Sequence, residues 1–200
     1  MARIPTDLPL RRLVHMRRIV CTSYERSDGL YEVEGRMQDT KSYDSRLLFK
    51  DVPAGGSIHA MTILVTVDRN LVIKRVEART EVGPTPFCRD INAAYEKLTG
   101  VTIGPGFNKE VKRRVGGANG CTHLSELLGP IATTAIQTLM GLHNTAAPRR
   151  DTTATEGHPM AGSCHAWRQD GEVIQVLRAR RQASADDDAR QPMPDHEPAK

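Results

Sequence analysis

This sequence has few aromatic residues and no long apolar run. It contains one tryptophan, four tyrosines and three phenylalanines, which do not alternate with basic residues as they would on a base-stacking surface. No stretch of about eighteen apolar residues occurs, and the N-terminus has no apolar segment of the secretory type. We therefore expect a cytoplasmic protein that contacts neither a membrane nor a specific nucleic acid, although an unknown protein partner is possible.

Common catalytic motifs are also missing. The sequence has no Gly-x-Ser-x-Gly, no P-loop, no dinucleotide-binding fingerprint and no Cys-x-x-Cys pair. The net charge of +4 supports only a non-specific electrostatic argument. Four cysteines in a cytoplasmic chain are expected to be free thiols or metal ligands rather than disulfides.

The first eighty residues predict antiparallel strands joined by short turns. Residues 13–24 suit a strand, and strict alternation from Tyr31 to Gln38 marks a second, half-buried one. The intervening Asp28-Gly29 pair is typical of a hairpin turn. Residues 58–67 and 71–80 form another predicted antiparallel pair. Four apolar residues of the first strand share one phase: Val14, Met16, Val20 and Tyr24.

Helical patterns follow the strands. A short pattern begins near Cys88 and closes at Gly100, and a basic one ends near Val115. Apolar residues then recur at threes and fours from Leu124 to Met140, which predicts a long core helix. Because strands come first and helices after, the predicted fold class is α+β, a mainly antiparallel sheet of about four strands with helices packed on one face.

One folded domain with tails is predicted, since several segments carry too little apolar surface to offset the entropy of ordering them. The Asp170-Gly171 pair indicates a late hairpin turn. The predicted divisions are a flexible arm at 1–12, the α+β domain at 13–143, a flexible linker at 144–162, a short returning hairpin at 163–181 and a disordered tail at 182–200.

Candidate metal ligands stand at the ends of predicted elements. His59 opens a strand, Cys88 opens a helix, and Cys121 with His123 opens the long helix. A thiol at a helix N-terminus lies near the positive end of the helix dipole, which favours the thiolate. Two thiols and two imidazoles suit a zinc site or an iron–sulfur cluster. These four residues are the predicted metal ligands.

The remaining cysteines have other interpretations. Cys21, within a strand, suits a small apolar core residue. The role of Cys164, beside His165 and beyond the predicted linker, stays open. Gly116, Gly117 and other glycines before Cys121 would let the backbone approach a site closely.

Several short motifs together resemble an uncharacterised bacterial family known as domain of unknown function 2889. The resemblance covers roughly residues 13–177, and its most specific part is the Cys-Thr-His-Leu stretch from Cys121 to Leu124. The family implies domain boundaries and no established activity. The matching segments are residues 28–35, 59–61, 84–88, 120–127 and 163–167.

A more distant similarity is to the iron–sulfur scaffold proteins of the NifU/IscU type. Residues 61–80 resemble the paired strands of those scaffolds, and Cys88 and Cys121 match cysteines that open a loop helix and the last long helix. His59 stands where the scaffolds have an aspartate, and Ser57 where they have their first cysteine. The resemblance implies an NifU/IscU-like arrangement and a metal or iron–sulfur site.

Three functional hypotheses follow. The first is a metal- or iron–sulfur-binding module with a role in cofactor assembly or transfer that uses the four predicted ligands. The second is a metal-free thiol enzyme with Cys121 as nucleophile and a histidine as base. The third is a structural or interaction protein whose cysteines belong to the core.

Overall fold

The computed structural model describes residues 9–146 and 160–190 and shows the predicted α+β fold. Four long strands form an antiparallel sheet in the order β1-β2-β5-β6, and the two short strands pair with each other. The strands are β1 (His15–Glu25), β2 (Tyr31–Lys41), β3 (Ser45–Arg46), β4 (Asp51–Val52), β5 (Ser57–Val67) and β6 (Ile73–Val82).

Both predicted hairpins are confirmed. β1 and β2 pair along their whole length, from His15 opposite Lys41 to Glu25 opposite Tyr31. β5 and β6 are also adjacent and antiparallel. The central strands β2 and β5 pair in turn, with Asp39 opposite His59 near one end of the sheet.

Helices follow β6 in the order predicted. The chain first makes two 3₁₀ helices, Pro86–Arg89 and Asn92–Leu98, where the sequence indicated one short helix. The helix α1 (Phe107–Val115) and a 3₁₀ turn (Gly117–Asn119) lead to the long helix α2 (Thr122–Ala146), which contains Pro130. No helix in the described ranges 9–146 and 160–190 has the length and apolarity needed to cross a bilayer.

The helix α2 packs on the face of the sheet that carries the buried phase of β2. A Cβ atom added to Gly35 would lie only 2.7 Å from Ile131 Cδ1, so this glycine lets the helix approach the strand closely. Thr138 Oγ1 donates a hydrogen bond of 2.7 Å to Ser23 Oγ, which ties α2 to β1 as well. The core therefore lies between α2 and the inner face of the sheet.

The apolar phase of β1 does not enter this core. Its alternate residues, Cys21 and Ser23 among them, are half-buried on the side of α2, and burial raises the pKa of the Cys21 thiol. The four apolar residues that share the other phase are all exposed on the open face: Val14, Met16, Val20 and Tyr24.

The described residues divide into two compact units, within residues 1–141 and 142–200. In the second unit the predicted hairpin at 163–181 is corrected, because its latter part forms the helix α3 (Glu172–Arg190). The Gly171 carbonyl accepts a hydrogen bond from the Gln175 amide, so the Asp170-Gly171 pair starts a helix instead of turning a hairpin.

The predicted tails are only partly within the described residues. The helix α3 continues through residues 182–190, which corrects the start of the predicted disordered tail. Most of the predicted arm (1–12), most of the linker (144–162) and the end of the tail (191–200) lie outside the described residues.

Candidate functional site

The buried carboxylate Asp39 forms the centre of the candidate site. It continues the alternating buried phase of β2, after Tyr31, Val33, Gly35 and Met37, and is 1% exposed. A carboxylate in this position is costly to bury unless charged or hydrogen-bonding partners surround it. The neighbouring strands provide those partners.

Arg17 on β1 provides the strongest contact. Its Nε and Nη2 atoms each donate a 2.7 Å hydrogen bond to a different oxygen of Asp39, the bidentate geometry that suits a guanidinium and a carboxylate. Arg17 Nη1 also contacts Glu126 of α2, so this one side chain joins the edge strand to the helix. His15 Nε2 lies 3.4 Å from Asp39 Oδ1.

Two stacked imidazoles complete the cluster. His59, opposite Asp39 on β5, places its Nδ1 atom 2.9 Å from Asp39 Oδ2. The His59 ring stacks on that of His123, with 3.8 Å between the ring centroids. One donor atom each from Asp39, His59 and His123 all lie within 4.8 Å of one another.

Hydrogen bonds from Tyr95 fix the start of α2, which carries His123. The Tyr95 hydroxyl donates a 2.7 Å hydrogen bond to the Cys121 carbonyl and accepts a 3.0 Å one from the Cys121 amide. The same carbonyl accepts the first helical hydrogen bond, from the Ser125 amide. Cys121 is therefore the cap residue of α2, and its half-buried Sγ atom lies 3.9 Å from His123 Nδ1.

Gly116 and Gly120 before Cys121 serve backbone packing. An added Cβ atom would lie 2.2 Å from the Lys112 carbonyl oxygen at Gly116 and 1.9 Å from the Val115 oxygen at Gly120. The chain can thus fold back tightly against the end of α1. These contacts, rather than approach to a ligand, account for Gly116 and Gly120.

The protonation states in the cluster follow from burial and charge. Burial alone would raise the pKa of Asp39, but Arg17, with smaller contributions from His15 and His59, lowers it to about 2. Burial and the neighbouring His123 lower the pKa of His59, against the opposing effect of Asp39. Burial and the charge of Arg17 lower the pKa of His123. At neutral pH the site therefore holds an ionised carboxylate and two neutral imidazoles.

Three of the four predicted ligands lie close together. The His59 ring stacks on the His123 ring, and His123 Nδ1 is 3.9 Å from Cys121 Sγ. Cys88 takes part in neither of these contacts. It lies in the 3₁₀ helix after β6, where its Sγ atom is 3.2 Å from Thr85 Oγ1. Among the described residues, neither cysteine belongs to a group of three or more donors close enough to share an ion.

Sequence reasoning missed Asp39 and Arg17. The signal for Asp39 was present, since it falls in the same alternating phase as the apolar residues of β2, and a charge at such a position needs partners. Arg17 had no comparable signal. It lies in a run of basic residues, and only the pairing of β1 with β2 sets it opposite Asp39.

These features define a small α+β protein in which a carboxylate and a histidine at one end of the sheet meet a second histidine at the start of a long helix. The chain belongs to the family described as "Protein of unknown function (DUF2889)", whose model matches residues 15–137, more than half of the chain. No curated protein and no solved structure matches it. The resemblance to iron–sulfur scaffolds accordingly has no support from these comparisons.

Proposed function

We propose that this protein binds a divalent transition-metal ion, most readily zinc, through Asp39, His59 and His123. The observation that carries the proposal is the meeting of three donor atoms within 4.8 Å of one another. Donors on a four-coordinate zinc ion lie about 3.5 Å apart, because bonds to nitrogen and oxygen are about 2.0–2.2 Å long. A contraction of about an ångström would bring all three onto one ion.

The protonation of the site favours a cation. A metal ligand must offer a lone pair, and the lowered pKa values of His59 and His123 keep both rings neutral near pH 7. Asp39 is ionised under the same conditions. The nearest fixed cation, Arg17, is paired with both Asp39 and Glu126, so these three side chains sum to one negative charge.

Arg17 is placed to orient a metal ligand without binding the ion itself. Its two hydrogen bonds fix the orientation of the Asp39 carboxylate, and partners of this kind orient the ligands in protein metal sites. His59 Nδ1 lies within hydrogen-bonding distance of Asp39 Oδ2. An ion held between these two atoms would replace their hydrogen bond, whereas an ion bound to His59 Nε2 would leave that hydrogen bond in place.

The donor types favour a single ion over an iron–sulfur cluster. Clusters are held by thiolates, and among the described residues the group of close donors contains no cysteine. Two imidazoles and a carboxylate suit zinc and related divalent ions. Three ligands leave a fourth tetrahedral position, which a protein side chain fills in a structural zinc site and which stays open in a catalytic site or in a protein that transfers metal.

Metal titration tests the proposal. Protein purified anaerobically, stripped with a chelator and titrated with zinc against a chromophoric chelator should bind one ion per chain. His59→Ala and His123→Ala should each weaken binding more than about 100-fold, since even outer partners of a metal site cost 10–100-fold. His165→Ala is the matched control, because His165 is exposed in the second unit and should leave binding unchanged.

Two outcomes would overturn the metal site. The first is a wild-type protein that binds no zinc in the titration and contains no metal by elemental analysis after anaerobic purification. The second is equal zinc affinity in wild type, His59→Ala and His123→Ala, which would place any bound ion elsewhere.

Cys121 lies outside the group of three close donors, but its sulfur is 3.9 Å from His123 Nδ1. We therefore expect its thiolate to move onto the bound ion as a fourth ligand. Cobalt(II) bound to a thiolate shows sulfur-to-metal charge-transfer absorption in the near ultraviolet. The cobalt-loaded wild type should show this band, Cys121→Ser should keep cobalt but lose the band, and Cys21→Ser should change neither. Bound cobalt without the band in wild type would restrict the site to nitrogen and oxygen donors.

The distance between Cys121 and His123 also favours a second candidate, a metal-free thiol enzyme with Cys121 as nucleophile and His123 as base. In chelator-treated protein, iodoacetamide should then modify half-buried Cys121 faster than exposed Cys164, and His123→Ala should abolish the difference. Faster labelling of Cys164 would count against this enzyme. A core role for the cysteines has less support, since none of the four is fully buried.

A further inference from the structure

We propose that the outer edge of β1 pairs with β1 of a second copy of this chain, so that two four-stranded sheets join into one of eight strands across a two-fold axis. This inference is independent of the metal site. It depends on the position of β1 in the sheet, on which of its residues are exposed, and on the order of charges along it.

Among the described residues, β1 is an edge strand of the sheet. It is at one end of the strand order, so only one of its two sides is paired within the described residues. All eleven of its residues are in continuous register with β2, without the bulge that interrupts both other long pairings of the sheet. It contains no proline and no lysine, two residues that commonly protect edge strands from further pairing.

The apolar exposure of the open sheet face is concentrated on this edge strand. Met16, Val20 and Tyr24 of β1 are 38%, 50% and 51% exposed. On the same face, β2 carries the ion pair Glu34–Arg36, and β6 carries Glu77–Arg79. Arg18 is the one charged residue of β1 on this face. The rest of this face of β1 lacks the charges that commonly protect an edge strand.

One register of self-pairing fits the whole strand. A two-fold axis through Val20 is the centre that pairs every residue from His15 to Glu25 with a residue of the second β1. Because the copies run antiparallel, His15 then lies opposite Glu25, and Met16 opposite Tyr24. On the axis, Val20 meets its own copy.

No like charges of β1 meet directly in this register. Arg17 faces Ser23 and Arg18 faces Thr22, so the two arginines of one strand never stand opposite those of the other. A register centred on Arg18 would place like charges directly opposite each other, which destabilises a strand pair. The sequence of β1 therefore fits a second copy of itself, in an isologous contact of the kind that most dimers use.

Substitutions of opposite charge at Val20 test whether the two-fold axis passes through this residue. In reducing buffer the wild type should sediment at twice the chain mass of 22.1 kDa. Val20→Lys and Val20→Glu should each sediment as monomers, because two like charges would meet on the axis. An equimolar mixture of the two variants should recover the dimer mass. Val20 is half exposed, so neither variant is expected to unfold, and circular dichroism checks this directly.

Disulfide formation provides a second measurement. Residues directly opposite in antiparallel strands have Cα atoms about 4.5–5.5 Å apart, within the range of a disulfide. In a Cys164→Ser background, Val20→Cys should form a cross-linked dimer on mild oxidation. Val14→Cys is the matched control, since Val14 is similarly exposed but falls beyond the paired residues and far from its own copy.

A monomeric wild type at micromolar concentration would overturn the proposal. So would a dimer that persists in both charged variants, which would place the interface elsewhere, or a mixture of the two that stays monomeric. Equal cross-linking at positions 14 and 20 would exclude the register.

Discussion

Replacing Gly120 by alanine is expected to destabilise the domain by more than about 4 kcal/mol, a size that few single substitutions reach. The new Cβ atom would lie 1.9 Å from the Val115 carbonyl oxygen and 2.8 Å from its carbon. Both are backbone atoms at the end of α1, so no side-chain rotation can relieve the overlap. The backbone of Gly120 is extended, with φ of −159°, so the cause is space rather than conformation.

Urea unfolding followed by circular dichroism measures this effect, and Gly129→Ala is the control. Gly129 lies within α2, and a Cβ atom there meets nothing within 4 Å. Alanine at that position should stabilise the helix by up to about 1 kcal/mol. If Gly120→Ala were as stable as wild type, the tight return of the chain between α1 and Cys121 would be incorrect.

Replacing Arg17 by methionine is expected to destabilise the domain by about 3 kcal/mol, because it leaves the buried Asp39 carboxylate without its bidentate partner. Arg36→Met is the matched control. Arg36 is on the neighbouring strand, is 66% exposed and pairs with the half-buried Glu34, so its loss should cost less than about 1 kcal/mol. Equal effects in the two variants would contradict the role of Arg17.

The pH dependence of stability identifies the group responsible. The pKa of Asp39 falls from its ordinary 3.8 to about 2 in the folded chain. A lowered carboxyl pKa stabilises the fold above pH 3.8, and that stabilisation is lost as the pH falls from 3.8 towards 2. The shift corresponds to roughly 2 kcal/mol.

Asp39→Asn should remove this acid-dependent loss of stability, and Arg17→Met should move it to higher pH, since the pKa of Asp39 then rises. The double variant should be more stable than Arg17→Met alone, because no uncompensated charge stays buried. Urea unfolding at several pH values between 2 and 7 measures all four proteins. If Asp39→Asn loses as much stability at acid pH as the wild type does, other carboxylates cause that loss.

Local patterns in the sequence determined most of the sheet. Alternation along β2 and the Asp28-Gly29 turn predict the first hairpin without knowledge of the rest of the chain, because strand period and turn type are local properties. The long apolar stripe after Cys121 predicts α2 for the same reason. The hairpin predicted at 163–181 is incorrect. Val173, Ile174 and Val176 suit a strand and suggested it, but the residues around them favour the helix that is observed.

The tertiary structure alone decided which residues form the site and which face of β1 is buried. The sequence places His59 and His123 at the ends of elements. Asp39 contacts Arg17 and His59 only because their strands pair, and each contact joins residues twenty or more positions apart. The apolar phase of β1 suggests a core face, yet α2 lies over the opposite side, where it contacts Ser23 and Arg17. Such outcomes depend on register and on helix packing, which join distant parts of the chain and leave no local periodicity.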